Sequence, residues 1–311
     1  MTPLRPPPDL RCPGCAGPLQ PWREVPGGEP GDRTGYELLR CSACGSATTI
    51  GDPRPGAYET GLYSPGDPRF AGVVRALMRA ALAQPRRLLP SKGRVVDVGA
   101  GSGLLVEVLR NAGLDAYGIE PAARSLARAE GAGRPVRGEA VEEHEASGLD
   151  AAALWHSLEH LEDPAAALTR VRSWLRPDGF LLVGVPNISS IQAKIAGPLW
   201  FHLDVPRHRT HFSRKGLLAL LDRAGFEVKA ERHFVLEHNL HGMWFALLGR
   251  LGMAPGFPFH LLKRNVAARP RDLLLLVIAG PVLLLPAVVL EGIAALSRRG
   301  GTIAVVAQRR A

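Results

Sequence analysis

Two groups of residues announce chemistry by type and spacing. The first is a glycine turn, Val95-Val96-Asp97-Val98-Gly99-Ala100-Gly101-Ser102-Gly103, followed seventeen positions later by the acidic Glu120. Glycines let the main chain bend sharply and approach a ligand. The amphipathic run that starts at Leu104 supplies a helix N-terminus, which attracts groups that need backbone N–H donors. A carboxylate at the end of the next strand accepts hydrogen bonds from ribose hydroxyls. The spacing is Gly-x-Gly-x-Gly, and Leu104 stands where a dinucleotide fingerprint has its third glycine. A nucleotide-type ligand is expected, and a nicotinamide cofactor is not. The second group is Cys12-Pro-Gly-Cys15 and Cys41-Ser-Ala-Cys44, which together hold every cysteine of the chain. Two such pairs present four thiolates that converge on a tetrahedral ion. Zinc and a pair of disulfides are the alternatives. The opening Met1–Pro8 has no apolar core of a signal peptide, which favours zinc. About forty residues bury little apolar surface, so the metal would supply folding energy in a structural role.

These groups need elements to position them. From Arg94 onward strand and helix patterns alternate. Strands are expected at Arg94–Val98, Asp115–Glu120, Pro135–Arg137, Ala151–Trp155 and Phe180–Val185, with helices at Gly103–Arg110, Ala122–Ala129 and Pro164–Leu175. Nearly continuous apolar strands alternating with helices mark an α/β doubly wound, mostly parallel sheet. A helix over Arg69–Leu89 precedes it, and a Gly/Pro-rich connector, Gly51–Pro68, carries Tyr58 and Tyr63 as linker anchors or a lid. A strand at Glu227–Val235 and a last strand in Gly300–Gln308 complete a sheet of seven. The domain plan is a zinc-ribbon-like module at 1–50, a linker and helix at 51–93, a nucleotide-binding domain at 94–237, an apolar insertion at 238–299, and a last strand and tail at 300–311.

At this point four motifs in order carry a family resemblance. Val96–Gly103 resembles motif I of class I S-adenosylmethionine-dependent methyltransferases, which have a Rossmann-like fold. Asp150–Pro164, Leu175–Asn187 and Pro206–Ser213 with Leu217–Phe226 are similar to their later motifs. The cysteine module is like that of a bacterial subgroup with an amino-terminal zinc-binding element. The resemblance implies S-adenosylmethionine as cofactor. Asp97, Gly99, Gly101 and Gly103 would face its methionine part, Glu120 its ribose and Glu139 its adenine. Trp155 and His156 would sit beside the methyl group at the end of the fourth strand.

Methyl transfer from a sulfonium is an in-line displacement that needs positioning, with a general base for a hydroxyl or acidic carbon. Histidine suits that role, and His156, His160, His202, His208 and His211 lie near the expected mouth. His156 is placed best as base or substrate contact. His208, with Arg207, offers contact to an anionic substrate group. Glu159-His160 is read as capping the helix that begins near Asp163-Pro164; some relatives that methylate quinone precursors use this region for a divalent metal. His202-x-Asp204 and His208-x-x-His211 suit either metal ligation or a loop network. Trp200 and Phe201 are expected to pack over the pocket.

Charge and hydropathy separate the last third of the chain from the rest. Residues 1–197 hold 22 Lys and Arg against 22 Asp and Glu, whereas residues 198–311 hold 16 against 7, so the whole +9 excess lies there. That excess accompanies an uncharged run of eighteen residues, Leu273–Leu290, and a second apolar stretch, Leu240–Leu251. Together they point to an anionic membrane surface; nucleic acid is not expected. Eighteen residues are marginal for a membrane span, and Pro281 and Pro286 argue against a straight helix. If the tail strand pairs beside Glu227–Val235, the insertion must leave the sheet and return. Basic residues flank the run at Lys263, Arg264, Arg269 and Arg271 and at Arg298 and Arg299, so both ends prefer the cytoplasm. A re-entrant or interfacial hairpin on the inner face of the membrane is expected; a homodimer interface is its alternative. The resulting expectation is methyl transfer to a hydroxyl or carbon of a small or lipid-linked acceptor: a sugar, quinone precursor or polyketide-like lipid. A soluble small-metabolite methyltransferase and a non-catalytic cofactor-binding or zinc-ribbon adaptor are the rival readings.

Overall fold

The structure, a computed structural model, describes residues 10–28, 32, 34–51, 71–82, 92–263 and 266–311. Tyr58 and Tyr63 lie outside the described residues. The strands β4 (Arg94–Val98), β5 (Asp115–Ile119), β6 (Val136–Arg137), β7 (Leu149–Trp155), β8 (Leu175–Pro186), β10 (Phe226–Arg232) and β11 (Thr302–Arg309) form one seven-stranded sheet. Its order is β10-β11-β8-β7-β4-β5-β6. All neighbours are parallel except β11, which runs antiparallel between β10 and β8. This is the doubly wound, mostly parallel sheet of seven expected from the sequence, with the last strand beside β10 and running antiparallel to it. The central strands β4, β7 and β8 are buried on both faces, so their sequences are largely apolar, whereas the edge strand β10 alternates and carries charge. Two clusters fill those faces, one around Leu154, Leu168 and Val183 and the other around Val106, Ala116 and Trp155.

Helices α2 (Leu104–Asn111), α3 (Ala123–Gly131), α4 (Pro164–Trp174), α5 (Ile191–Ala196) and α6 (Arg214–Arg223) connect the strands. A preceding helix, α1, covers Ala71–Leu82, within the longer range expected from spacing. The cap of α4 differs from expectation. Asp163 itself accepts from Ala165 N and Ala166 N at 3.0 and 2.9 Å, with Pro164 at the first helical position. An Asp before Pro is a sufficient N-cap, so Glu159 and His160 are left for another purpose. The turn Arg176–Gly179 is absorbed into β8, where Asp178 takes a positive φ of 63°.

The cysteine module is not a separate bead. Its strands β1 (Leu19–Pro26), β2 (Gly35–Cys41) and β3 (Ala47–Thr49) form a second sheet, which is completed by β9 (Thr210–His211) from far along the chain. Hydroxyls seal the joint. Thr49 Oγ1 donates to the His208 carbonyl at 2.8 Å and Ser213 Oγ to the Cys44 carbonyl at 2.7 Å, both buried. Gly14 and Gly216 meet so closely that a Cβ on Gly14 would lie 3.1 Å from the Gly216 backbone.

Between β10 and β11 the chain makes α7 (Leu236–Arg250), α8 (Phe257–Leu262) and α9 (Pro270–Leu296). α9 runs unbroken for 27 residues through Pro281 and Pro286, the two prolines that argue against a straight helix. The partner helix holds it in place. Trp244 of α7 donates its indole N–H to the Gly280 carbonyl at 2.9 Å, and Met243 of α7 packs on Ala287 and Ala294. At its domain end α9 buries Glu291, which accepts from Gln192 Nε2 at 2.8 Å, Asn239 Nδ2 at 2.6 Å and Gly301 N at 3.2 Å. A buried carboxylate so fully supplied with donors ties the apolar hairpin to α5 and to the root of β11.

Candidate active site

The carboxyl ends of β4, β5 and β7 open onto a cleft of about 420 Å³. Its walls include Gly99 and Gly101 from the turn, Glu120 and Pro121 after β5, Glu139 and Val141 after β6, and His156 and Ser157 after β7. Each glycine of the turn has a positive φ, 72°, 55° and 73° at positions 99, 101 and 103, which side-chain-bearing residues rarely adopt. Their surroundings then divide them. A Cβ on Gly99 would meet Ser157 Cβ at 2.6 Å and one on Gly103 would meet Val136 at 2.9 Å, whereas Gly101 faces open space. Gly99 and Gly103 therefore let the turn pack inward, and Gly101 is where a ligand can approach the main chain.

Glu120 is nearly buried and accepts from Gly101 N and Ala122 N, both at 2.8 Å. Burial raises its pKa, and the two backbone donors oppose the rise. Asp97 lies behind the turn at 2% exposure, its pKa raised well above the usual range by burial and then by Glu120. Glu139 reaches the cleft and is held by His144 Nδ1 at 2.6 Å. Of the candidate cofactor residues, Gly99, Gly101, Glu120 and Glu139 share the cleft wall with His156. Asp97 and Gly103 support it from behind. Trp155 belongs to the core cluster, its ring against Gly184.

His156 stands alone among its β7 neighbours in having a positive φ, 54°, a conformation that costs about 1–3 kcal/mol for a residue with a side chain. It turns the imidazole to the cleft, where Nδ1 is 3.4 Å from Glu159 Oε1. Glu159 is 1% exposed, and among the described residues neither of its oxygens has a hydrogen-bond donor. Burial pushes its pKa up to about 7 against the pull of His160. His208 Nε2 lies 4.0 Å from the same oxygen. His160 and His208 each direct Nδ1 at a backbone carbonyl, Arg207 O at 3.2 Å and His202 O at 2.9 Å. A carbonyl only accepts, so Nδ1 carries the proton in both rings and Nε2 is the basic nitrogen. Glu159, His160 and His208 offer ligand atoms within 4.8 Å of one another.

The remaining loop residues separate from this cluster. Arg207 is paired with Asp204 through Nε at 3.0 Å and through Nη2, so its charge is not free for a substrate anion. Although burial alone would raise the Asp204 pKa, Arg207 and His208 hold it below the usual carboxylate range. His211 bonds Thr49 Oγ1 at 2.9 Å and is pushed down to about 4 by burial. It fastens the cysteine sheet, and the His208-x-x-His211 ligand set is thereby divided. Trp200 is buried in the core that joins α5 to the cysteine sheet, as a packing residue.

Two neighbours of His156 in the fold were invisible in the sequence. His238 of α7 stacks on His156 with ring centroids 3.8 Å apart. His241, one turn on, meets His238 at 6.2 Å, Phe201 at 6.3 Å and Phe245 at 5.3 Å. An aromatic row thus leads from the cleft into the apolar hairpin. Both histidines lie in the insertion, and no local spacing ties them to β7.

The four sulfurs of the cysteine module also converge. Cys12 and Cys44 Sγ are 3.6 Å apart, and Cys15 and Cys41 Sγ 3.5 Å. These are not disulfides, whose S–S bond is about 2.05 Å. They match the roughly 3.8 Å edge of a tetrahedron with Zn–S bonds of about 2.3 Å.

Comparison with known proteins decides the family. Residues 69–231 match the family described as methyltransferase domain. This chain belongs to the class I S-adenosylmethionine-dependent methyltransferases. Relatives of this methyltransferase include ubiquinone biosynthesis O-methyltransferases. That of Azorhizobium caulinodans is 31% identical over 57% of this chain and 76% of its own length. That of Cereibacter sphaeroides is 30% identical over 45% of this chain and 62% of its own length. A solved S-adenosylmethionine-dependent methyltransferase from Archaeoglobus fulgidus superposes with a TM-score of 0.50 at 18% identity, covering 76% of this chain and 94% of that one, which bears on the fold alone. S-adenosylmethionine is accordingly the cofactor of this chain.

Replacing Glu120 with Ala removes the acceptor of Gly101 N and the carboxylate at the cleft rim. Affinity for S-adenosylmethionine is expected to fall roughly tenfold or more, about 1.5–3 kcal/mol. Calorimetric titration checks this, and an unchanged affinity would show that Glu120 does not contribute.

Proposed function

We propose that this methyltransferase O-methylates a phenolic, quinone-precursor-like acceptor presented from a membrane surface. The observation that carries the reading is the stack of His238, from the apolar hairpin, on His156, at the cleft wall. It joins the methyl-donor site to an aromatic row suited to a flat, apolar substrate. The names of the relatives agree with such an acceptor. Glu120 holds the ribose of the cofactor, Glu139 stands toward the adenine, and Gly101 gives the main chain close access to the ligand.

In the reaction, the acceptor hydroxyl attacks the sulfonium methyl in line. Its proton passes to His156, the C–S bond breaks, and the thioether leaves as a neutral group. Glu159 faces His156 Nδ1, so its carboxylate orients the ring and stabilises the imidazolium. A second reading of the same cluster is favoured by the buried, donor-less Glu159 beside two basic Nε2 atoms. Glu159, His160 and His208 would hold a divalent cation, which when bound would act as a Lewis acid toward the acceptor oxygen. The test is transfer of labelled methyl to a catechol carrying an apolar side chain. His156→Ala should lower kcat at least about a hundredfold with cofactor affinity retained. Chelation that abolishes turnover, with recovery on adding magnesium, selects the cation reading. Full activity of His156→Ala in the chelated enzyme removes both.

The hairpin supplies the membrane address. Only 11% of the most apolar stretch of α9 is buried, unlike a core helix, and the helix is long and apolar enough to cross a membrane. Its exposed side chains, including Leu274, Val277, Ile278, Val282, Leu285, Val288 and Leu296, fall on one half of the circumference at about 100° per residue. The opposite side packs on α7. One exposed face along the whole length suits a helix lying in the interface, with basic residues at both ends, on the cytoplasmic leaflet. In a flotation assay the full chain should rise with anionic vesicles, and Ile278→Glu with Leu285→Glu should remain at the bottom. Equal flotation of both would refute an α9 membrane face; a concentration-dependent dimer would replace it.

The cysteine module holds structural zinc, supported by the sulfur spacing. Because β9 completes its sheet, zinc also braces the loop that carries His208. Cys12→Ser with Cys41→Ser should lose bound zinc in elemental analysis and unfold at lower temperature; equimolar zinc in the double variant would exclude the site.

A further inference from the structure

A second cavity, about 470 Å³, lies at the carboxyl end of β8, walled by the cysteine sheet, α5 and the segment that follows α9. Its charged lining is uniform: Arg23 and Arg40 from the cysteine sheet, Lys194 from α5, Arg214 from α6, and Arg298 and Arg299 after α9. No carboxylate lines it among the described residues. Arg214 is neutralised by Glu231, with Nη2 to Oε2 at 2.7 Å. Among the described residues, Arg23, Arg40, Lys194, Arg298 and Arg299 form no ion pair with an acid, unlike Arg214. Arg23 and Arg40 both stand over the Trp22 ring, at 3.6 and 4.7 Å from its centroid. Burial and then Arg40 lower the Arg23 pKa, as like charges crowded in a partly dry wall must.

The wall is built rather than accidental. Arg298 takes a positive φ of 56°, and Arg299 N closes on the Ala294 carbonyl at 2.7 Å, which ends α9 and turns both arginines toward the cavity. Ile191 N donates to the Arg299 carbonyl at 3.0 Å, fixing that segment on α5. Asn187 Nδ2 holds the Gly300 carbonyl at 3.0 Å from the floor. Guanidinium groups clustered without acids match an anion of several charges and several acceptor oxygens. A single carboxylate would leave most of them unanswered.

We propose that this cavity binds a phosphate or diphosphate group. The arginines that close it follow directly on α9, so a phosphate carried by a lipid at the interface would enter it without leaving the membrane surface. That source rests on the interfacial reading of α9; the phosphate site does not. The two sources of that chemistry are a lipid-borne phosphate and a free one, and they share the same contacts.

The test uses the full chain in mild detergent, titrated calorimetrically with pyrophosphate. Wild type should bind it at least about tenfold more tightly than Arg23→Gln/Arg299→Gln, while Arg79→Gln, a charge removed from the exposed side of α1, should bind like wild type. Unchanged cofactor affinity and circular dichroism show that the double variant is folded; should it not fold, the exposed single variant Arg298→Gln takes its place. No binding by wild type, or equal binding by a folded cavity variant, overturns the proposal. Flotation on vesicles then assigns the source. Preference for phosphatidic acid over phosphatidylglycerol at equal charge, lost in the variant, supports a lipid-borne phosphate. Pyrophosphate binding without that preference supports a free one. Failure of flotation with pyrophosphate binding intact would remove the membrane reading and leave the phosphate site standing.

Discussion

The structure depends on a topological constraint at one edge of the sheet. β11 is inserted antiparallel between β8 and β10, with Thr302 opposite Pro186 and Ala304 opposite Arg232. β10 therefore ends, and β11 begins, at the carboxyl edge, where open α/β sheets bind their ligands. Anything inserted between them must stand over that edge. This is why the apolar hairpin reaches the methyl-donor cleft, and why Arg298 and Arg299 fall beside the end of β8. The buried Glu291, with donors from α5, α7 and the root of β11, fixes the angle at which the hairpin stands.

A second closure works from the opposite end of the chain. β9 pairs with β3, so the cysteine module and the loop carrying Asp204, Arg207 and His208 form one body. His211 and Thr49 lock the joint from within. The order imposed on the sulfurs is in this way passed to a loop beside the cleft, although the two lie more than 150 positions apart in sequence. The candidate active site is thus framed by two additions to a common fold: a sheet that pairs with one loop, and a hairpin that brings His238 to His156.

Much of this was legible beforehand where the physics is local. The Gly99–Gly103 turn, the strand that precedes it and the acidic residue that closes β5 are short-range signals, set by backbone sterics and by the apolar pattern of a doubly buried strand. The two CxxC pairs are similarly local. Readings failed where a residue's partner came from elsewhere. Glu159 looked like part of a helix cap, yet Asp163 supplies that cap and Glu159 turns inward to His156 and His208.

The sequence by itself determined the sheet, the glycine turn, the cysteine quartet and the apolar character of the insertion, because each follows from spacing within a few turns of chain. Tertiary structure decided which histidines meet. His156 and His238 are stacked, His208 faces Glu159, and His211 is spent on the cysteine sheet. It also gathered basic residues from four separate elements and the segment after α9 around one cavity. Contacts of that kind depend on where β11 returns to the sheet and on β9 crossing to its partner. The β11 pairing was inferred from the order of the elements, whereas the β9 pairing leaves no local mark, because a strand's pattern records its burial and not the identity of its neighbour.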